Sequence, residues 1–147
     1  MIGMLAKFGF GSAKIETVIH TNEIQPLGVL IGHFKITGGK LGQHIETIKI
    51  DILTKMALKS MQKGRRRFAT VQSLTFEANR TVDTDVEITI PFRFILHGET
   101  PVTEFKSSRP NDVEVFLKSS LEIAYAINPI AVISLSVHPT NCIPATS

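Results

Sequence analysis

The residues of this chain that could carry chemistry are five histidines, one cysteine, a few carboxylate pairs and two glycine-rich stretches. His20, His33, His44, His97 and His138 are scattered, with no close ligand pair along the sequence, and Cys142 stands alone. Without His-x-x-x-His, Cys-x-x-Cys or Glu-x-x-His spacing, the sequence argues against a transition-metal site. Asp83-Thr84-Asp85 resembles the opening of a calcium loop, but the later Asp/Asn, Gly and distal Glu are missing, so a turn between strands explains it better. Gly9-x-Gly11 lacks the third glycine of a dinucleotide fingerprint, and Gly38-Gly39-Lys40-Leu41 lacks the Ser/Thr and the earlier glycine of a phosphate loop. There is no Gly-x-Ser-x-Gly elbow, and Cys142 sits in a proline-flanked tail, away from any recognisable base. The chain therefore reads as non-enzymatic, with no cofactor implied.

One cluster of charge stands out. Lys59, Lys63, Arg65, Arg66 and Arg67, with Lys55 just before them, crowd the connection between two strands. Such a cluster can be a solvated hairpin tip, where charge also keeps strand edges from pairing. A solvated tip is the plainer reading; the functional one is docking of an acidic protein surface, anionic lipid or nucleic acid. Nucleic acid fits least, because few aromatic residues interleave the cations and no recognised module is present.

The elements that would position these residues are strands. Residues 14–20 alternate, with Ile15, Thr17 and Ile19 on one face; residues 29–37 place Leu30, Phe34 and Ile36 together. In residues 45–58, Ile48, Ile50, Ile52 and Met56 share a parity opposite to Lys49, Asp51 and Lys55. Phe68, Thr70, Leu74 and Phe76 are in phase, as are Val86, Ile88, Ile90, Phe92 and Phe94, then Val113, Val115, Leu117, Leu121 and Ile123. Residues 130–137 read as a last strand. Gly-Gly, Asn-Arg-Thr, proline and Ser-Ser-Arg-Pro-Asn-Asp punctuate these runs, with no amphipathic helix between them. Parallel units need such helices, so antiparallel pairing remains. The expectation is an all-β antiparallel sandwich, immunoglobulin- or arrestin-like, of seven to nine strands, with Ile48, Ile50, Ile52, Ile88, Ile90, Phe92 and Leu121 in its core.

Length and composition agree with one folded domain: 147 residues, 43% apolar, 20% charged, net charge +3. Residues 1–12 form an N-terminal apolar segment, 13–138 the sandwich and 139–147 a tail. Met1-Ile2-Gly3-Met4-Leu5-Ala6 is apolar, but Lys7 interrupts it and no basic segment precedes it, which does not make a signal peptide. No run approaches the roughly 20 apolar residues of a helical membrane span. Asn79-Arg80-Thr81 matches a glycosylation acceptor, a chance match in a chain without a secretory signal. A single cysteine cannot form an internal disulfide, which favours a reducing, cytoplasmic setting.

Gly9-Phe10-Gly11-Ser12-Ala13-Lys14-Ile15-Glu16-Thr17 closely resembles the N-terminal signature of the sporulation-control protein family, part of the wider arrestin-like group. Further segments agree in order and spacing: Gly38-Gly39-Lys40 with Gln43-His44-Ile45-Glu46-Thr47-Ile48, Ile90-Pro91-Phe92-Arg93-Phe94 with Thr100-Pro101-Val102-Thr103, and Leu121-Glu122-Ile123-Ala124 with Ile127-Asn128-Pro129. The resemblance covers roughly residues 9–129, the N-terminal domain of that family. It implies an arrestin-like sandwich and a regulatory or scaffold role through protein–protein interaction, and brings no catalytic residues. The alternative is a peripheral membrane module using the N-terminal apolar segment and the basic loop. Relatives are expected to continue into a second sandwich, and after Pro129 they usually turn charged where residues 130–137 here are apolar. Self-association as a two-fold dimer, through this last strand or an exposed sheet edge, is the corresponding expectation.

Overall fold

The computed structural model describes residues 13–57, 66–104, 113–124 and 126–140. Within them the alternating runs form seven strands: β1 (Lys14–Ile19), β2 (Val29–Thr37), β3 (Gln43–Ala57), β4 (Arg66–Val82), β5 (Glu87–Ile95), β6 (Val113–Ile123) and β7 (Ile130–Leu135). They make a three-stranded sheet, β1-β2-β5, and a four-stranded sheet, β4-β3-β6-β7, with every neighbouring pair antiparallel. This is the two-sheet sandwich that the alternation predicts.

The core lies between the sheets, and position in the sheet decides how well each residue is shielded. Strands β2, β3 and β6 have a neighbour on both sides. Their inward residues Leu30, Phe34, Ile36, Ile48, Ile50, Ile52, Val115, Leu117 and Leu121 are all 1% exposed or less. Each such side chain contributes about 1.5–3 kcal/mol relative to exposure. Ile88 and Ile90 were expected beside them but are only half-buried, because β5 is an edge strand with one open flank. Phe92, further along β5, is buried against Phe34, ring centroids 4.7 Å apart, and against Phe94 at 5.9 Å. Gly32 stands directly opposite Phe92, and a Cβ there would lie 2.7 Å from the Phe92 Cζ and collide with the Val18 carbonyl oxygen. The missing side chain is what lets the ring lie across the strand.

A polar contact crosses this apolar interior. Thr17 on β1, 7% exposed, and Ser119 on β6, fully buried, meet through their hydroxyls at 2.8 Å and join the two sheets. Neither hydroxyl faces water, so each satisfies the other.

Two bulges break the strict alternation. Near the start of β3, Ile45 pairs with Arg80 and Thr47 with Glu77, leaving an extra residue on β4 where Asn79 takes φ 45°. On the other flank Ile45 pairs with Ile123 and Thr47 with Glu122, so Glu46 is unmatched by β6. Ile45 thereby turns inward despite having the opposite parity to Ile48. Asn79-Arg80-Thr81, expected to end a strand, lies inside β4, because asparagine tolerates the left-handed conformation that a bulge needs. The second shift, between Ile52/Gln72 and Leu53/Thr70, leaves Val71 as the extra residue. Asp83-Thr84-Asp85 forms the turn that follows β4, closed by the Val86 amide donating to the Asp83 carbonyl at 3.1 Å.

The sandwich is fastened along both flanks. On one, Gln72 of β4 spans to the other sheet: its Nε2 donates to the Ile95 carbonyl at 3.0 Å and its Oε1 accepts from the His97 amide at 2.8 Å. On the other, the chain beyond β7 forms a parallel bridge between Val137 and Ile24. There the His138 amide donates to the Ile24 carbonyl, the Val137 amide to Thr103 Oγ1, and the Thr103 amide to the Val137 carbonyl. Val137 is fully buried in this latch.

Candidate interaction surface

The β3–β4 hairpin carries the cationic cluster at its far end. Lys59, Lys63 and Arg65 lie outside the described residues. Arg66 and Arg67 open β4, where the register sets them opposite Ala57 and Met56, so the strand pairing delivers them to the hairpin end beside Lys55. From residue 52 to residue 76 the chain has no Asp or Glu, while Lys55, Lys59, Lys63, Arg65, Arg66 and Arg67 fall inside that stretch. Charges of one sign closer together than the Debye length of about 8 Å reinforce one another's field.

The same end presents aromatic surface that sequence parity does not reveal. Counting by twos places Phe68 with Leu74 and Phe76, which face the core. The bulge at Val71 shifts the register by one residue, and a one-residue slip changes the face of everything beyond it. Phe68 therefore points outward, opposite Lys55, and is 58% exposed. Its ring centroid is 6.3 Å from that of Phe116 on β6, and the Lys55 Nζ sits 5.2 Å above the Phe68 ring. Glu114 pairs with Lys55 on the β6 side, placing a carboxylate residue along this boundary. The signal was present in sequence: Val71 is an apolar residue out of phase with its neighbours, half-buried and packed against the core. Further along the same outer face, Ile130 and Val132 of the edge strand β7 are also more than half exposed.

Antiparallel pairing also brings together histidines that are distant in sequence. Val18 pairs with His33, so His20, just past the end of β1, comes alongside it. His20 Nε2 lies 2.7 Å from His33 Nδ1, a proximity that spacing along the sequence does not show. No group of three or more His, Cys, Asp and Glu residues able to hold a metal occurs among the described residues.

Several residues of the segments quoted for the family resemblance occupy structural joints. The Ala13 amide donates to Gln43 Oε1 at 2.7 Å, Thr17 meets Ser119, and Thr103 holds Val137. Asn128 accepts from the Ile123 amide at 3.1 Å where β6 turns toward β7. These positions build the fold rather than converge on one reactive centre.

A family described as SpoOM protein matches residues 1–145. The chain belongs to this family. It is 28% identical over 125 residues to the sporulation-control protein spo0M of Bacillus subtilis (strain 168), an alignment covering 85% of this chain and 46% of that protein. The crystal structure of Spo0M, sporulation control protein, from Bacillus subtilis matches it with a TM-score of 0.74 and 26% identity, over 88% of this chain and 50% of that one. The chain thus spans about half the length of the SpoOM relatives it matches.

Proposed function

We propose that this domain is a non-enzymatic regulatory or scaffold module that docks an acidic protein surface through the outer end of its β3–β4 hairpin. The observation that carries this reading is an acid-free cationic run ending beside the exposed Phe68 ring, which neighbours the half-buried Phe116. Cations steer and orient an acidic partner, while an aromatic side chain that can be covered supplies the binding energy that solvated charges lack. Membership in the SpoOM family supports a regulatory role, and the name of the Bacillus subtilis relative points that role toward sporulation control. The single cysteine accords with work in the reducing cytoplasm. The test is capture of partners from host lysate by the full chain at rising salt. Capture should weaken with salt and be lost when Arg65, Arg66 and Arg67 become Glu and Phe68 becomes Ala. Capture unaffected by both changes would leave the hairpin end as solvated surface only.

A second reading draws on the same chemistry. An exposed aromatic ring among cations also suits an anionic bilayer, with the apolar residues 1–10 as an additional anchor. Co-sedimentation with phosphatidylserine vesicles separates the two. Binding lost on deleting residues 1–10 would favour the bilayer, and absence of binding would leave the protein partner.

A further inference from the structure

We propose that His20 and His33 form a two-imidazole site for a late first-row divalent cation, Cu2+ foremost, with Zn2+ and Ni2+ behind it. The facing nitrogens are already 2.7 Å apart and the ring centroids 4.7 Å apart, tilted by 56°. Nitrogens bound to one metal at about 2.0–2.1 Å stand about 2.9 Å apart at a right-angle site and about 3.3 Å at a tetrahedral one. The pair therefore needs to open by a few tenths of an ångström, and its rings to turn so that both lone pairs converge on one centre, for the right-angle geometry that Cu2+ and Ni2+ favour. His20 is exposed, so its ring has the freedom to make that adjustment, and water fills the remaining coordination positions.

The backbone holds both residues in place. His33 lies on the central strand β2, paired to Val18 on one side and Pro91 on the other. The His20 amide donates to the Ile31 carbonyl at 2.7 Å. Next in sequence, Thr21 Oγ1 accepts from the Ile31 amide at 2.8 Å and donates to the Val29 carbonyl at 3.2 Å, clamping the main chain that carries His20. Two ligands held side by side, one on β2 and one just past the end of β1, bind as a chelate, because the second imidazole is already at high effective concentration when the first has bound.

In the metal-free pair, one of the two facing nitrogens carries the proton and the other accepts it. On metal binding both present lone pairs, so the ring that had donated switches tautomer: its proton leaves the facing nitrogen to solvent and its other nitrogen takes one up. No redox step is involved. By register the charged residues on this face of the sheet are Lys14, Glu16, Lys35, Glu87 and Arg93, with Arg93 opposite Ile31 and the Lys35 Nζ 4.0 Å from the Glu16 carboxylate. Arg93 opposes a dication, which selects for cations with strong imidazole affinity rather than for hard ones such as Mg2+ or Ca2+.

The test is titration of the untagged full chain with Cu2+ in a non-coordinating buffer, followed by calorimetry and by electron paramagnetic resonance. One site with two imidazole nitrogens in the equatorial plane is expected. His20→Asn and His33→Asn should each weaken that site about 10–100-fold, whereas His97→Asn should leave it intact. His20 is exposed and lies past the end of β1, so His20→Asn reports even where His33→Asn disturbs β2. With Zn2+, the nuclear magnetic resonance signals of His20 Nε2 and His33 Nδ1 should shift while those of the other histidines stay. Equal affinity in the wild type and in His20→Asn, or a spectrum with a single imidazole, would overturn the proposal.

Discussion

The hydroxyl pair of Thr17 and Ser119 offers a sharp test of how the two sheets are joined. Both side chains are buried, and the 2.8 Å contact is the hydrogen bond each makes within the sandwich interior. Thr17→Val keeps the shape but leaves the Ser119 hydroxyl without its partner; Ser119→Ala does the reverse to Thr17. A buried polar group deprived of its partner costs about 1–3 kcal/mol, whereas removing both partners can be nearly neutral. Each single variant should therefore lose about 1–3 kcal/mol, and the double variant should recover much of it, giving a coupling of roughly 1–2 kcal/mol. At this chain length the single losses correspond to a fall in melting temperature of roughly 3–10 °C. Urea unfolding of the four proteins, with unchanged slope and shifted midpoints, measures the cycle. If the two single losses simply add up in the double variant, the hydroxyls do not act as a unit and the reasoning fails.

Thr54 makes the opposite case: its Oγ1 is buried with no hydrogen-bond partner among the described residues. Thr54→Val should leave stability unchanged or raise it by about 1 kcal/mol in the same urea assay. Phe92→Ala removes a ring packed between Phe34 and Phe94 and should cost about 3–5 kcal/mol, read from the denaturation midpoint. For self-association through β7, Val132→Asp is the informative variant, since Val132 is 54% exposed while Leu135 is buried and its replacement would unfold the domain. Light scattering across a concentration series should give a dimer mass for the wild type and a monomer mass for Val132→Asp; a wild-type monomer throughout would remove the dimer.

Alternation was enough to read the strands, because a period of two survives wherever one face of a sheet is covered. Ile48, Ile50 and Ile52 on a central strand are buried as their parity requires. Parity fails where the chain inserts a residue. The bulge at Val71 turned Phe68 from a core residue into the exposed ring of the candidate surface, and the one around Glu46 and Asn79 turned Ile45 inward. It also fails at edges, where Ile88 and Ile90 have the right parity but lack a neighbouring strand to cover them. The histidine pair was hidden for a different reason: which residues meet across two strands depends on pairing register, and spacing along one chain does not encode it. The cationic cluster needed no structure to be seen, since charge density is a property of the sequence itself.

The latch at Val137 has a consequence for the newly made protein. Residues near Ile24 and Thr103 receive their partner only when Val137 arrives, so one flank of the sandwich stays open until that part of the chain has left the ribosome. Contacts this far apart in sequence close slowly, and strand edges wait unpaired meanwhile. A nascent chain stalled before Val137 would leave the flank at Ile24 and Thr103 uncovered, the kind of surface that folding helpers bind. Truncation before that residue should consequently harm yield in the cell more than the loss of a short terminal segment would ordinarily imply.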